Sequence, residues 1–365
     1  FPTRRSSDLA ASGHIVETYY GFRREDAPRD DVRWLWDNDP RGGIWERGTL
    51  VFALAALYDA TGEADLLARL KAEYAYTKGR YTAEELDTAP GTTMMFGCDD
   101  VGWDAWYFLT LYRYTQDQWA LDRARALTEA AFARWEDTDL GGGLWYNDHR
   151  QAKSTYQAAL ILSVLTLWEL TGDDHFLALA MPAYHWTELT CLRPDGLYWC
   201  DYGWGGPVGK ERPGDIREAG SVSFLGGNMM MGVVNARLYR ATGQPEYLAR
   251  ALHSVEAISA HETTEGVLLN DRDAWANGAF APEWAREVQT LPGCPAEARA
   301  LLVRTGEAIA LRSRTPEGFY SPCWLNHPAG EECPWLAAQT TAEQIMTSST
   351  TATFLIAATL GTVPR

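Results

Sequence analysis

The chain has 365 residues, of which 46% are hydrophobic and 22% charged, and its formal net charge is −17 at pH 7. This negative charge argues against nucleic acid or an anionic membrane as a partner, because both require basic surface. No run of about 18 apolar residues occurs, so no transmembrane helix is expected. The 16 Trp, 17 Tyr and 11 Phe are more than a core requires. Some of these aromatic rings are therefore expected to line a groove, where flat faces stack on sugars.

The two ends of the chain are expected to differ in character. Residues 1–13 are predicted to be a non-native or disordered tail, and residues 14–365 to form one domain. The first nine residues read FPTRRSSDL, which lacks the apolar segment of a signal peptide and resembles translated sequencing-adapter sequence.

A turn motif recurs four times, beginning at Leu57, Leu111, Leu167 and Leu238. In each copy an apolar helix ends in Leu-aromatic, and a Thr followed by Gly or an equivalent residue comes a few positions later. Glycine after the last helical residue is the usual signal that closes a helix. A second apolar helix follows each turn, so the repeating unit is an αα-hairpin.

Hairpins that pack only on their neighbours form an open solenoid or a closed ring. Loops rich in glycine and aromatic residues separate them, at Gly42–Trp45, Gly141–Tyr146, Pro194–Trp199 and Glu317–Tyr320. A chain of this length accommodates about 12 helices of about 10–14 residues. The sequence therefore predicts an all-α fold, an (α/α)6 barrel in a single domain, whose loops converge on one face. A long loop is expected at 202–227 and a final helix at 340–360.

The segment Met94–Trp103 reads MMFGCDDVGW and places Asp99 beside Asp100 at the start of an apolar helix. One interpretation is a helix N-cap with an acidic neighbour that the helix dipole favours. The other is a catalytic pair, in which burial and repulsion separate the two pKa values so that one carboxyl is protonated and the other ionised. Adjacent Cα atoms lie about 3.8 Å apart. A carboxyl separation of about 5–5.5 Å, which retaining glycosidases use, is therefore within reach.

Other chemistries lack their motifs. The seven His are scattered and form no H-E-x-x-H pair, so neither a metal nor another cofactor is expected. No P-loop, G-x-G-x-x-G or G-x-S-x-G motif occurs. Cys98 lies next to Asp99, which raises the pKa of a thiol and makes it a poor nucleophile. A carboxylate mechanism is the remaining candidate.

The element Asp99-Asp100-x-x-Trp103 resembles the paired-aspartate motif of glycoside hydrolase family 76, the endo-α-1,6-mannanases. The resemblance extends over nearly the whole chain, from about residue 43 to residue 360. Later family elements have counterparts here, namely the Gly141–Tyr146 loop, a helix beginning near Ala152 and the Asp195–Tyr198 segment.

This resemblance implies an (α/α)6 barrel that hydrolyses α-1,6-mannosidic linkages of mannan-type polysaccharide with retention. It assigns the nucleophile to Asp99 and the general acid/base to Asp100. A polysaccharide or oligosaccharide is the expected partner, and the protein is expected to be a monomer in a secreted, periplasmic or cell-surface location. The candidate substrate-binding residues are Trp45, Trp103, Trp145, Tyr146, Asp148 and Asn228.

Three positions depart from the family pattern. Val101 follows the aspartate pair where Asn is usual, and the segments Ser223–Asn228 and Trp275–Phe280 lack the Tyr, Gln and Lys of the family's cleft. The sugar or linkage can therefore differ while the mechanism is kept. Two alternatives stay open: an (α/α)6 epimerase or transglycosylase, for which His149 is the one His beside a candidate loop, and a non-catalytic glycan-binding protein.

Overall fold

The computed structural model describes residues 44–80, 97–148, 150, 152–199, 201–202, 225–261, 263–268 and 274–312. The chain divides into two compact units. Unit 1 comprises residues 1–80, 263–285 and 299–365, and unit 2 comprises residues 81–262 and 286–298. The prediction of one domain over residues 14–365, with a tail before it, stays a prediction.

Ten α-helices lie in the described ranges. They are α1 Ile44–Thr61, α2 Ala64–Arg80, α3 Cys98–Thr115, α4 Gln118–Trp135, α5 Ala158–Thr171, α6 Asp174–Cys191, α7 Leu225–Thr242, α8 Pro245–His261, α9 Ala274–Gln289 and α10 Ala296–Arg312. Four short strands form two antiparallel pairs, β1 Lys153–Ser154 with β2 Asp201–Tyr202, and β3 Thr263–Thr264 with β4 Val267–Leu268. None of these helices is long and apolar enough to cross a membrane.

The four repeated turns close α1, α3, α5 and α7, as predicted. The residue after each helix has a left-handed backbone, with φ of 71° at Gly62, 56° at Gln116, 68° at Gly172 and 70° at Gly243. Its N–H donates to the carbonyl four residues earlier at 2.7–2.8 Å. The preceding Thr hydroxyl donates to the carbonyl of the motif's Leu. The same hydroxyl accepts the N–H two residues further on. Each turn thus satisfies its polar groups locally, which is why a short motif encodes it.

Helices α3, α5 and α7 form the buried layer of unit 2 and pack on one another in that order. All residues of α5 from Ala158 to Leu167 are buried, and a helix buried on every side needs no polar face. The backbones of α3 and α5 approach closely at Gly102. A Cβ there would lie 2.6 Å from backbone atoms of Ala159 and Leu160. The Ser163 hydroxyl also donates to the Gly102 carbonyl at 2.8 Å.

Helices α4, α6 and α8 each pack against the preceding helix of their own hairpin and bury one face. Aspartates begin two of them: Asp117 caps α4 and Asp173 caps α6, each accepting the N–H two residues later. Buried first helices and half-buried second helices are the pattern that the hairpin repeat predicts.

An ion-pair cluster around the buried Arg237 ties the C-terminal ends of α5 and α7 together. Arg237 is 3% exposed, donates to Glu287 at 3.4 Å and also donates to the Thr166 hydroxyl. Arg240 pairs with the same Glu287 and with Glu169. The cluster thus fixes the two helices at the ends opposite to their N-termini.

The start of α5 differs from the prediction. A helix was expected near Ala152, which is wrong, because Lys153 and Ser154 are extended and pair with Tyr202 and Asp201. A 3₁₀ turn follows and α5 begins at Ala158. The loop at Glu317–Tyr320, the helix at 340–360 and most of the loop at 202–227 lie outside the described residues.

Candidate active site

The aspartate pair lies in the first turn of α3. Gly97 is the N-cap residue, so neither aspartate is the N-cap and that interpretation of the pair is wrong. Asp99 is 8% exposed, whereas Asp100 is half-buried. Peptide dipoles of the helix favour negative charge at this end. Two carboxylates of unequal exposure thus stand together at the start of a buried helix.

Tyr146 lies directly beside this turn. Its carbonyl accepts the N–H of Cys98, the first residue of α3, at 2.7 Å. A Cβ built on Gly97 would lie 2.5 Å from Asp99 Oδ1 and 2.8 Å from the Tyr146 hydroxyl oxygen. Since φ of Gly97 is −174°, space and not backbone conformation limits the size of the residue here. The aspartate and the tyrosine therefore converge over a position that has no side chain.

Cys98 is not a nucleophile in this setting. Burial raises the pKa of its thiol well above the usual value, and the charges of Asp99 and Asp100 raise it further. The side chain is also fully buried. A neutral, inaccessible thiol is unreactive, which agrees with the prediction made from the acidic neighbours.

The segment from Glu136 to Lys153, which we call the glycine loop, positions Tyr146. The Trp145 N–H donates to the Trp135 carbonyl at 3.0 Å, and the Tyr146 N–H donates to the Ala152 carbonyl at 2.8 Å. The Leu144 N–H donates to the Gln157 side chain at 2.9 Å. These bonds tie the loop to the end of α4 and to the start of α5.

Lys153 is the last residue of the glycine loop, and its side chain bonds to the earlier part of the loop. Its side chain is fully buried, and its ammonium donates to Asp137 Oδ1 at 2.7 Å. Burial lowers the pKa of Lys153, and the hydrogen bond and charge of Asp137 raise it in part. Burial raises the pKa of Asp137, but hydrogen bonds from Lys153 and Trp145 outweigh this, so the net pKa is below the usual value. The 2.7 Å bond thus favours the charged form of both side chains against the cost of burying them.

Two residues predicted to bind sugar have structural contacts in this loop. Trp145 is 1% exposed, its indole N–H donates to Asp137, and its ring lies 4.9 Å from the Lys153 ammonium. Asp148 accepts from Arg134 and from the Trp135 indole N–H. Trp145 has no exposed ring face for stacking on a sugar, and the Asp148 carboxylate is bound to Arg134 and Trp135.

The other predicted binding residues are distributed as follows. Trp103, on α3, is 2% exposed and packs on Trp106, whose ring centroid lies 5.5 Å away. Asn228, on α7, is 2% exposed and accepts the N–H of Tyr198 at 2.7 Å. Trp45 is the second residue of α1 in unit 1, and its side chain lies outside the described part. Of the predicted set, the structure brings Asp99, Asp100 and Tyr146 together.

Tyr156 was not predicted from the sequence, and the structure places it beside Tyr146 with ring centroids 6.1 Å apart. It is the one residue between Ala152 and Leu167 that is not buried. Its N–H donates to the Ser154 hydroxyl at 3.1 Å, which begins the 3₁₀ turn. Such a short turn has no periodicity, so only the break in burial distinguishes this residue.

Repeated αα-hairpins, with a carboxylate pair at the start of a buried helix and half-exposed aromatic rings beside it, are typical of all-α glycoside hydrolases. The family model of glycosyl hydrolase family 76 matches residues 3–353, and the chain belongs to this family. The recognition made from the aspartate pair and the glycine loop is thus confirmed. No curated protein sequence matches the chain.

Solved structures agree with this family. The chain is similar to the α-1,6-mannanase GH76A from Salegentibacter sp. HEL1_6, with a TM-score of 0.69, 21% identity, and coverage of 87% of this chain and 88% of that chain. An inactive variant of that enzyme, with two adjacent aspartates changed to asparagine, was solved with α-1,6-mannotriose (TM-score 0.68, 20% identity, coverage 87% and 89%). Dfg5 from Chaetomium thermophilum, in complex with glucosamine, matches with a TM-score of 0.68, 14% identity, and coverage of 86% and 80%. The family 76 neighbours have the (α/α)6 fold, so the predicted fold class is confirmed.

Among the described residues, no group of three or more His, Cys, Asp or Glu is arranged to hold a metal ion. In the first turn of α3 the chain offers two carboxylates for chemistry, with the phenol of Tyr146 beside them.

Proposed function

We propose that the protein is a retaining glycosidase that cleaves α-1,6-mannosidic linkages in mannan-type polysaccharide. Asp99 acts as the nucleophile and Asp100 as the general acid/base. The observation that carries this proposal is the carboxylate pair in the first turn of α3, one buried and one half-exposed, beside Tyr146. Family membership supports the reaction class. The mannotriose complex of the relative that lacks both aspartates supports the linkage.

The unequal exposure of the carboxylates supports the order of their roles. A general acid/base donates a proton to the leaving group and then accepts one from water, so it must be reached by solvent. Half-exposed Asp100 meets this need. A nucleophile exchanges no proton but must keep a fixed position against the anomeric carbon, and the buried Asp99 suits that role. The dipole of α3 also stabilises the ionised form that the nucleophile requires.

Tyr146 and Tyr156 offer aromatic surface next to the pair. Both side chains are half-buried, and tilted rings 6.1 Å apart present edges and faces on which a sugar ring packs. A polysaccharide substrate lies outside cells, which supports a secreted, periplasmic or cell-surface location.

The proposal is tested by incubating the protein with a linear α-1,6-mannan backbone and following reducing ends and product lengths. Asp99→Asn and Asp100→Asn are each expected to lower kcat by at least about 10³-fold. Asp173→Asn is a matched control, because Asn caps a helix as well as Asp does and α6 should be unaffected. Full activity of both active-site variants would overturn the catalytic pair.

The roles within the pair are separated with an aryl α-mannoside whose leaving group needs no protonation. Asp100→Asn should still form the glycosyl-enzyme from this substrate and release a burst of phenol, whereas Asp99→Asn should not. NMR of the first sugar product should show the retained α-anomer. An inverted anomer would show an inverting enzyme instead. Products longer than the substrate would show a transglycosylase. If the unmodified protein bound mannotriose without turnover, it would be a binding protein.

A further inference from the structure

Lys153 uses a fully buried charge to shape the glycine loop. Its ammonium donates to Asp137 Oδ1 at 2.7 Å and to the carbonyls of Asp139, Gly142 and Gly143 at 2.7, 2.6 and 3.1 Å. An ammonium this far from water is costly unless it is paired and hydrogen-bonded. The acceptors come from several points along the loop, so one side chain draws them together.

The gathered loop leads directly to the aspartate pair. Three residues beyond Gly143, the Tyr146 carbonyl accepts the first N–H of α3 at 2.7 Å. The Tyr146 ring and Asp99 Oδ1 meet over Gly97. A displacement of the loop is therefore transmitted both to the backbone that carries Asp99 and to the side chain beside it.

A second ion pair, of a different character, joins the end of α4 to the glycine loop. Arg134 pairs with Asp148, and the side chains are 49% and 35% exposed. Exposed pairs of this kind contribute little to stability. In contrast to Lys153, Arg134 donates its side-chain bonds in this loop to Asp148 alone. Arg134 is thus a natural control for the loss of a positive charge that bonds to this loop.

We propose that Lys153 is a positioning residue for the catalytic pair, acting through the glycine loop and Tyr146 on the start of α3. It touches no substrate, since its side chain is fully buried. This inference rests on the proposed function, in which Asp99 and Asp100 perform the reaction. It assigns to a lysine outside the active site the task of keeping Asp99 in its reactive position.

The test compares Lys153→Met, the double variant Lys153→Met/Asp137→Asn and the control Arg134→Met. In the single variant Asp137 keeps Arg150 as a cationic partner at 3.2 Å. The double variant also removes the Asp137 charge, which separates the loss of Lys153 from any effect of the carboxylate that it leaves behind. Steady-state kinetics on α-1,6-mannotetraose should show kcat lowered about 10- to 100-fold in both Lys153 variants, because small misplacements of reacting groups have effects of this size. KM should rise by a smaller factor than kcat falls, because Tyr146 supplies only part of the sugar contact whereas the reaction depends directly on the position of Asp99. Arg134→Met should keep both constants.

Amide hydrogen exchange gives a readout that needs no substrate. The Cys98 amide, which bonds to Tyr146, should exchange at least tenfold faster in the Lys153 variants than in Arg134→Met, whereas amides of α7 should not change. Folded Lys153 variants with unaltered kcat and unaltered Cys98 exchange would overturn the proposal. An equal loss of kcat in Arg134→Met would overturn it as well. If the unmodified protein cleaves no mannan, the proposed function fails, and the exchange data still decide whether Lys153 positions the start of α3.

Discussion

Glycine serves different physical purposes at the two ends of the helical hairpins. In the turns that close them, Gly62, Gly172 and Gly243 have φ near 70°, and an added Cβ would meet nothing within 4 Å. Where the hairpins carry the candidate site, Gly97 and Gly102 are crowded instead. There a Cβ would lie 2.5 Å from Asp99 and 2.6 Å from the backbone of α5, respectively.

The difference shows which contacts hold each region. The closing turns need only a left-handed residue, because their hydrogen bonds are made within a few residues. The site end depends on elements distant in sequence that approach one another without side chains between them. Substitutions of glycine by alanine measure the two requirements separately, since alanine adds one methyl group and restricts φ.

Gly102→Ala is expected to have the largest effect. The methyl group would meet the backbone of α5 at 2.6 Å, and two packed helices must separate to accept it. We expect the free energy of unfolding to fall by about 3 kcal/mol, measured by urea denaturation. Gly79→Ala in α2 is the matched control, because nothing lies within 4 Å of its added Cβ. That control should raise stability by up to about 1 kcal/mol, and a similar loss in both variants would contradict the steric explanation.

Gly143→Ala tests a position where both requirements apply. Its φ is 75°, and the added Cβ would lie 2.5 Å from the Trp186 ring, whose N–H donates to the Leu140 carbonyl. The expected loss is about 2–3 kcal/mol, measured by thermal unfolding. Gly141→Ala has a φ of 85° and open space around it, so it should lose only about 1 kcal/mol. Equal losses would show that the contact with Trp186 does not matter.

Gly172→Ala should isolate the cost of the backbone conformation in a closing turn. Its φ is 68° and its surroundings are open, so we expect a loss of about 1 kcal/mol. The urea midpoint should fall with an unchanged m-value, because the fold is retained. A loss as large as that of Gly102→Ala would mean that the turn depends on contacts beyond its own hydrogen bonds.

Gln116→Gly should have the smallest effect and the opposite sign. Gln116 takes the left-handed position of the second turn with φ of 56°, and its side chain donates to the Tyr112 and Arg113 carbonyls at the exposed helix end. Glycine relieves the backbone strain but loses these bonds and orders a more flexible residue. We expect a net gain of about 0.5 kcal/mol, measured by differential scanning calorimetry. A net loss would show that the side-chain bonds outweigh the strain.

Local sequence determined the hairpin units, their turns and the place of the aspartate pair. Leu57, Leu111, Leu167 and Leu238 each begin a turn whose partners lie within a few residues, so the pattern is readable without the fold. Family membership and the (α/α)6 fold were also within reach of the sequence, because the aspartate pair and the triple-glycine loop form a specific combination.

Only the tertiary structure decided which residues near the aspartate pair are accessible to a substrate and which are buried and structural. From the sequence, Trp145, Asn228 and Tyr146 were equally plausible sugar-binding residues. In the structure Trp145 and Asn228 are buried and hydrogen-bonded, whereas Tyr146 is half-buried. No local sequence pattern predicts that Lys153 is buried, that Tyr156 is half-buried among buried neighbours, or that two helices approach closely at Gly102. Each of these features depends on groups from different helices and loops, because the composition of one segment does not determine which other segments pack against it.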